Sequence, residues 1–325
     1  MAESFDDLAD RLSFTEIVRL QDTLSRALVR RFEKKLAFAF SDVVGSTPYF
    51  ARFGDEAGRK LQQRHVDMCQ AVVSAHEGRI VDTAGDGAFL CFPSADQAAR
   101  AIVLLQERIA ADNDNRGTEH RLRVRCGVHY GPALTDGVMV SGDSVNFCSR
   151  VAGSADAGEL RLSAAAFGAL TEIGLRLRCR RLGAIELKGV ERPVELVVLD
   201  WRDSQKFPSV VRFEDGTTLP LPRLDVVRFG RLREQDGAVA NEVVLSVADP
   251  NKLHHISRWH FELHLKSSGY VLRSVSSAST ELDGAAVPKG EERAVKPGSK
   301  VTVGGVLSLE LGHPMASGDE TYLPG

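Results

Sequence analysis

The sequence predicts an α+β domain, with helices covering one sheet, followed by a smaller all-β domain. Three observations carry this. Strand-like and helix-like patterns alternate from residue 35 to about residue 200. The pattern breaks after Trp201, and beyond the break short strand-like runs alternate with Gly, Pro, Ser and Asp, with no helical period. A length of 325 residues suits two domains. The organisation read from this is a helical segment over 1–33, a first domain over 34–202, a linker over 203–218, a second domain over 219–314 and a tail over 315–325.

Within the first segment, Ile17, Leu20, Leu24, Ala27 and Leu28 recur at helical spacing with Arg and Asp between them. Such a stripe serves equally for packing on its own domain or for pairing with a second copy. Leu36–Ser41 is a short apolar run that suits a buried strand, and Asp55–Ala75 reads as a long helix. Arg79–Thr83 and Ala88–Phe92 bracket Gly85-Asp86-Gly87, a hairpin signal. Ala95–Ile109 reads as helix, Arg121–Tyr130 as strand, Ser144–Ala152 as helix, and Leu175–Cys179 and Val194–Leu199 as late strands. Pro208 and weak periodicity mark 202–215 as linker. Strands are expected at Asp225–Phe229, Glu242–Val247, Trp259–Leu265, Tyr270–Arg273, Lys300–Val303 and Val306–Leu311.

Composition excludes several classes. With 41 basic and 44 acidic residues the formal charge is −3, so no basic excess points to nucleic acid. The longest apolar runs, such as Leu36–Phe40 and Ala101–Leu105, are far short of the roughly 20 residues that span a bilayer. The acidic N-terminus lacks the apolar core of a signal peptide. Five scattered cysteines without CxxC spacing read as reduced packing residues. Together these point to a cytoplasmic protein without a membrane partner.

Two aspartates carry the chemistry. Asp42 ends an apolar strand in Phe-Ser-Asp-Val-Val-Gly-Ser-Thr, and Asp86 sits at the tip of the hairpin. On neighbouring strands both carboxylates leave one sheet edge, where they repel unless cations sit between them. Hard divalent cations take oxygen ligands and keep positions open for phosphates. A pair of them supports an in-line phosphoryl displacement. Gly45-Ser46-Thr47-Pro48 then leads into a helix, with Ser or Thr expected as N-cap, so its backbone N–H groups suit phosphate oxygens. No GxxxxGK[ST] occurs.

A third element is Gly142-Asp143-Ser144-Val145-Asn146-Phe147-Cys148-Ser149-Arg150. Gly-Asp-Ser reads as a helix start, with Asp143 as a cap. Asn146 and Arg150 are four apart and share a helix face. The planar Arg fork suits the charge on a five-coordinate phosphorus, and Asn suits a ribose. On spacing alone, a surface Asn–Arg pair is the simpler reading.

Together these residues resemble the class III nucleotidyl (adenylate/guanylate) cyclases, a likeness that Leu187-Lys188-Gly189-Val190-Glu191-Arg192-Pro193-Val194 extends to about residue 200. The resemblance implies a ferredoxin-like βαββαβ core with extra strands, and a head-to-tail homodimer with sites at its interface. Asp42 and Asp86, with the backbone of Val43, would bind two Mg²⁺ or Mn²⁺. Val44, Gly45, Ser46 and Thr47 would form the phosphate loop, and Lys188 is a further candidate phosphate contact. Asn146 and Arg150 of the other subunit would position the ribose and stabilise the transition state. The ribose 3′-hydroxyl would attack the α-phosphorus and pyrophosphate would leave.

Two positions depart from the family pattern, and both concern the base. Adenylate cyclases place Lys four residues before the second metal Asp and Asp seven before the Asn; here these are Asp82 and Met139. A carboxylate at Asp82 repels the adenine N1 lone pair and suits guanine, whose N1–H and N2–H₂ are donors. Met139 offers apolar contact only. The reading is ATP to cAMP, with GTP to cGMP as the alternative and a pyrimidine triphosphate third. A rival of another class is a non-catalytic phosphopeptide-binding scaffold whose cyclase fold only dimerises. Retention of Asp42, Asp86, Asn146 and Arg150 argues against it, and no Gly-Gly-Asp/Glu-Glu-Phe signature points to a diguanylate cyclase.

In the second domain, Phe229-Gly230-Arg231 and Ile256-Ser257-Arg258-Trp259-His260-Phe261 resemble a forkhead-associated (FHA) domain over about 220–312. The resemblance implies an eleven-strand sandwich that binds phosphothreonine protein through Arg231 and Ser257, with Arg258 beside them. His260 would brace the loops. The family's later loop reads Ser-Thr-Asn-Gly-Thr, but here Ser276-Ser277-Ala278-Ser279-Thr280 puts Ala278 in place of the Asn. His254, His255, His260 and His264 have no Cys or paired acid beside them, so no metal is read there.

Overall fold

A computed structural model describes residues 11–83 and 85–314. The chain divides into two compact units, one on residues up to 106 with 122–201, the other on 107–121 with residues from 202 onward. The first ten residues of the expected helical segment and the expected tail from 315 lie outside the described residues.

The first unit opens with α1, Phe14–Phe32, whose start is set by a capping box: Ser13 Oγ accepts from the Glu16 N–H, and the Ser13 N–H donates to the Glu16 carboxylate at 2.8 Å. This helix buries none of its residues, and Ile17, Leu20, Leu24 and Leu28 are exposed. It runs directly into β1, Glu33–Val43. Then follow α2 (Ser46–Ala75), β2 (Arg79–Asp82), β3 (Gly87–Phe92), α3 (Ala95–Asn113) and β4 (Val124–Thr135). Their sheet order β2-β3-β1-β4, all antiparallel, is a ferredoxin-like βαββαβ core. Extra elements extend it: β5 (Val140–Ser141), α4 (Asp143–Gly153), β6 (Leu160–Ser163), α5 (Ala164–Gly168), α6 (Ile173–Leu177), β7 (Cys179–Ile185) and β8 (Val194–Leu199). β6 runs parallel to β4, and β8 and β7 complete the edge.

Period-2 alternation gives β1 two apolar faces. On one face Ser41 shares a 2.8 Å hydrogen bond with His65 of α2, and Cys126 of β4 accepts from Gln106 of α3. On the other, Leu36, Phe38 and Phe40 pack with Val145 and Cys148 of α4. That seat is close, because Gly127 of β4 carries no Cβ: one built there would stand 2.2 Å from the Ala152 nitrogen.

Several local expectations give way. The helix expected from Asp55 begins at Ser46 and breaks at Gly54, whose φ of 81° and ψ of 171° only glycine adopts readily. Its N-cap is Gly45 at φ 79°, not Ser or Thr, because the Ser46 hydroxyl is given to Asp86 instead. Gly142, not Asp143, caps α4. The strand read at Leu175–Cys179 is largely the helix α6. Leu175 is buried while Ile173 and Leu177 are exposed, and the Cys179 thiol reaches back four residues to the Leu175 carbonyl. A Leu-x-Leu-x-Cys run imitates the strand period when only one of its members points inward.

The second unit is built almost wholly of strands: β9 (Val210–Phe213), β10 (Thr218–Pro220), β11 (Val226–Gly230), β12 (Glu234–Gln235), β13 (Ala238–Val239), β14 (Val243–Val244), β15 (Phe261–Lys266), β16 (Gly269–Ser274), β17 (Thr280–Leu282), β18 (Ala285–Ala286), β19 (Glu292–Val295), β20 (Ser299–Val303) and β21 (Leu307–Gly312). They form a six-stranded sheet β10-β9-β21-β20-β17-β18, a five-stranded sheet β14-β11-β15-β16-β19 and the small β12-β13 pair. Phe229 and Phe261 stack at 4.3 Å in a core to which both larger sheets contribute, with Leu272, Val301 and Leu311. The stretch read as linker, 203–218, is therefore corrected. Val210–Phe213 is a strand hydrogen-bonded to β21 about a hundred residues later, and this pairing has no local signal. Pro250–His255, where no helix was expected, forms a 3₁₀ turn capped by Asp249. Residues 107–121 group with this unit, where Asp114 accepts from the N–H and hydroxyl of Ser267.

Candidate active site

Asp42 is the penultimate residue of β1, and the antiparallel register sets it opposite Gly87 of β3. Asp86 is the residue before Gly87, in a turn opened by Gly85 at φ 64°. Two carboxylates far apart in sequence thus come to the same end of the β1–β3 pair, each half-buried. The Ser46 hydroxyl, at the start of α2, donates to Asp86 and ties the loop after β1 to the hairpin. Within that loop the Val44 N–H is used by the sheet, donating to the Arg123 carbonyl at 2.8 Å. Ser46 and Thr47 open α2, and the first N–H groups of a helix have no partner within it.

Arg125 was not singled out by the sequence. It lies opposite Asp42 on β4, and its Nε and Nη2 donate to one oxygen of Asp42 at 2.8 and 2.6 Å. Its Nη1 reaches the Gly153 carbonyl at the end of α4, at 3.4 Å. Only knowledge of the β1–β4 register could have found it.

The donor set suits a hard divalent cation. Asp42 and Asp86 offer oxygen only, and among the described residues no group of three or more His, Cys, Asp or Glu stands ready to enclose an ion. Such a half-open set leaves positions for substrate oxygens. The Arg125 guanidinium already shows that a positive charge is accommodated on Asp42.

Asn146 and Arg150 project from the exposed face of α4. Arg150 Nη1 donates to the Gly189 carbonyl at 2.7 Å. Gly189 holds φ 74°, a left-handed conformation that glycine adopts readily. Arg150 and Lys188 together line a groove of about 580 Å³. So the structure groups Arg150 with Lys188, and Asp42 with Asp86 and Ser46. Asp82 is exposed at the end of β2, and its carboxylate accepts from the Thr83 N–H. Met139 is 71% exposed beside β5, on a turn that Asp136 holds by accepting from the Val138 and Met139 N–H groups.

Two histidines brace this frame as neutral rings. His65 is pushed down to about 4, because burial penalises the charged ring more than the nearby Asp86 charge favours it. Burial likewise lowers His129 to about 4; its Nδ1 lies 2.8 Å from the Ser163 hydroxyl and its ring meets the edge of Phe147 on α4.

The family model of the adenylate and guanylate cyclase catalytic domain matches residues 30–200, just over half of the chain. The chain belongs to this family. It is 31% identical over 119 residues to an adenylate cyclase of Streptomyces coelicolor, covering 37% of this chain and 30% of that one. It is 25% identical over 176 residues to adenylate cyclase 1 of Rhizobium meliloti, covering 49% and 26%. This cyclase-family chain spans about a third or less of the length of the curated relatives it matches. Among solved structures it is similar to the adenylyl cyclase CyaB from P. aeruginosa, at 23% identity over 52% of this chain and 96% of that one, with a TM-score of 0.43.

The cyclase match ends at residue 200, just before the long stretch of the second unit that starts at residue 202. There the Arg231 N–H donates to the Ser257 carbonyl at 3.0 Å, which brings the two predicted phosphate contacts into one loop cluster, with Arg258 exposed beside them. His260 is fully buried: Nδ1 accepts from the Ser257 N–H, and Nε2 faces the Ser279 carbonyl, both at 3.1 Å. It is thus a brace, as expected. Ser276 bonds to the Ser257 hydroxyl and accepts from the Ala278 N–H at 2.9 Å. The sequence reading missed Asn241, whose side-chain amide donates to the Leu232 and Arg258 carbonyls and ties the two loops together.

Proposed function

We propose that this protein converts a nucleoside triphosphate into a 3′,5′-cyclic nucleotide and pyrophosphate, acting as a head-to-tail homodimer. The observation that carries it is the β1–β3 register, which sets Asp42 and Asp86 at one end of this strand pair, beside the start of α2. Asp42 and Asp86, with the Val43 carbonyl, would hold two Mg²⁺ or Mn²⁺, which when bound activate the 3′-oxygen and neutralise the phosphates. The amides of Ser46 and Thr47 face the phosphate oxygens. Asn146 of the second copy fixes the ribose, Arg150 meets the charge that develops on the α-phosphoryl group, and Lys188 beside it meets the polyphosphate. Leaving the Gly189 carbonyl frees the Arg150 fork for that role.

ATP is the proposed substrate, in line with the adenylate cyclases among the relatives. The exposed Asp82 carboxylate favours GTP as the second reading, because it accepts from guanine and has nothing to give adenine N1. The test is turnover with Mn²⁺ and each of ATP, GTP, CTP and UTP, with Asp42→Ala as control. Product from one triphosphate, lost in the variant, supports the reading and names the base; no product from any of them removes it. Mixing Asp42→Ala chains with Arg150→Ala chains tests the shared site. Statistical pairing of a two-fold dimer restores roughly a quarter of wild-type turnover, whereas a site within one chain restores none.

The second unit is proposed to be an FHA module that reads phosphothreonine through Arg231, Ser257 and Arg258 and couples signalling to the cyclase. The clustering of the Arg231 and Ser257 loops supports this, while Ala278 removes one peptide-backbone contact. Polarisation binding of phosphothreonine against threonine peptides, with Arg231→Ala, tests it. No helix among the described residues is long and apolar enough to cross a membrane; a cytoplasmic location is proposed.

A further inference from the structure

Arg125 stands where the incoming cation has to act. Its guanidinium gives two N–H bonds to a single oxygen of Asp42, from a cross-strand position that both backbones hold in register. A planar fork at 2.6–2.8 Å from a half-buried carboxylate is a charge-assisted contact, stronger than a neutral hydrogen bond. The third nitrogen donates to the Gly153 carbonyl at 3.4 Å, at the negative end of α4. Asp86, by contrast, is met by a neutral hydroxyl from Ser46. The two carboxylates are therefore unequal: one is already charge-compensated and the other is not.

We infer that Arg125 is the resident counter-ion of the metal site, competing with divalent cations for Asp42 and keeping the nucleotide-free protein from loading them tightly. This rests on the proposed role of Asp42 and Asp86 as the cation ligands. A divalent ion that approaches Asp42 meets a fixed positive charge beside the oxygen it needs, and the ion pair must open or stretch before the carboxylate is available. Full occupancy then requires the negative charge that a polyphosphate brings. The sign of the effect separates this from a positioning role. If Arg125 merely oriented Asp42 for the cation, its removal would weaken binding; as a competitor, its removal strengthens it.

The experiment is a titration of the nucleotide-free full chain with Mn²⁺ alone, reading free Mn²⁺ by electron paramagnetic resonance. The proteins are wild type, Arg125→Gln, Arg125→Lys and Asp42→Asn, each checked for folding by its melting curve. Arg125→Gln is expected to tighten Mn²⁺ binding roughly tenfold, about 1.4 kcal/mol. Arg125→Lys, which keeps the charge, is expected to stay near wild type. Binding that is unchanged or weaker in a folded Arg125→Gln protein overturns the inference while leaving the cation site intact. A titration that Asp42→Asn does not alter removes the cation site itself, and the inference with it. Should Arg125→Gln fail to fold, Arg125→Met, which keeps the aliphatic stem without charge, decides by the same readout.

Discussion

Replacing Gly127 by alanine tests how α4 is seated on β4. A Cβ at this position would lie 2.2 Å from the Ala152 nitrogen and 2.6 Å from its Cα, and both atoms are backbone, so no side chain can swing aside. Ordinary contact begins near 3.4 Å, so α4 has to withdraw by about 1.2 Å, the difference between 3.4 and 2.2. The seat is otherwise closed by the Cys148 thiol, which donates to the Phe38 and Gly127 carbonyls at 3.2 and 3.4 Å, and by Val145 against the β1 aromatics. Overpacking of this kind costs about 1–3 kcal/mol. Because α4 carries Asn146 and Arg150, a shift of about 1 Å is expected to lower turnover by roughly 10²-fold as well. Urea unfolding measures the first effect, and cyclic-nucleotide formation by the same preparation measures the second. A Gly127→Ala protein with unchanged midpoint and turnover refutes the argument, since it means that α4 does not rest on β4 at this distance. A stability loss without an activity loss would show that Asn146 and Arg150 tolerate the displacement.

Other outcomes follow from the same geometry. His65 has a folded value of about 4 against the ordinary 6.5 of a histidine, so the unfolded state takes up the proton first as pH falls through that window. Stability is expected to be about 2 kcal/mol lower at pH 5 than at pH 7 from this group alone, and His65→Gln should flatten the slope measured by urea unfolding at the two pH values. Gly45→Ala meets open space but keeps φ at 79°, so strain alone should cost about 1–2 kcal/mol in the same assay. Phe261→Ala removes one ring of the Phe229 stack at the centre of the second unit and should cost about 3–5 kcal/mol in that unit's unfolding transition. A loss below about 1 kcal/mol would mean that the two rings do not share a closed core.

What the sequence by itself determined is what short-range pattern can encode. The apolar run ending in Asp42, the Gly85-Asp86-Gly87 turn, the helix bearing Asn146 and Arg150, and the Gly230-Arg231 and Ser257 loops were all legible, because glycine torsions and the periods of 2 and 3.6 residues are local properties. Tertiary structure alone decided which strands are neighbours and in what register. That choice puts Asp42 opposite both Gly87 and Arg125, and so creates the carboxylate pair and its guanidinium counter-ion from residues up to 83 positions apart. It also turned the stretch around Val210–Phe213 into a sheet strand, gave the Ser46 hydroxyl to Asp86 instead of to a helix cap, and made Leu175 the inward residue of a short helix. The physical reason is the same in each case. A cross-strand hydrogen bond or a buried contact depends on a partner distant in the chain, and nothing in the residues beside it records which partner the fold brings.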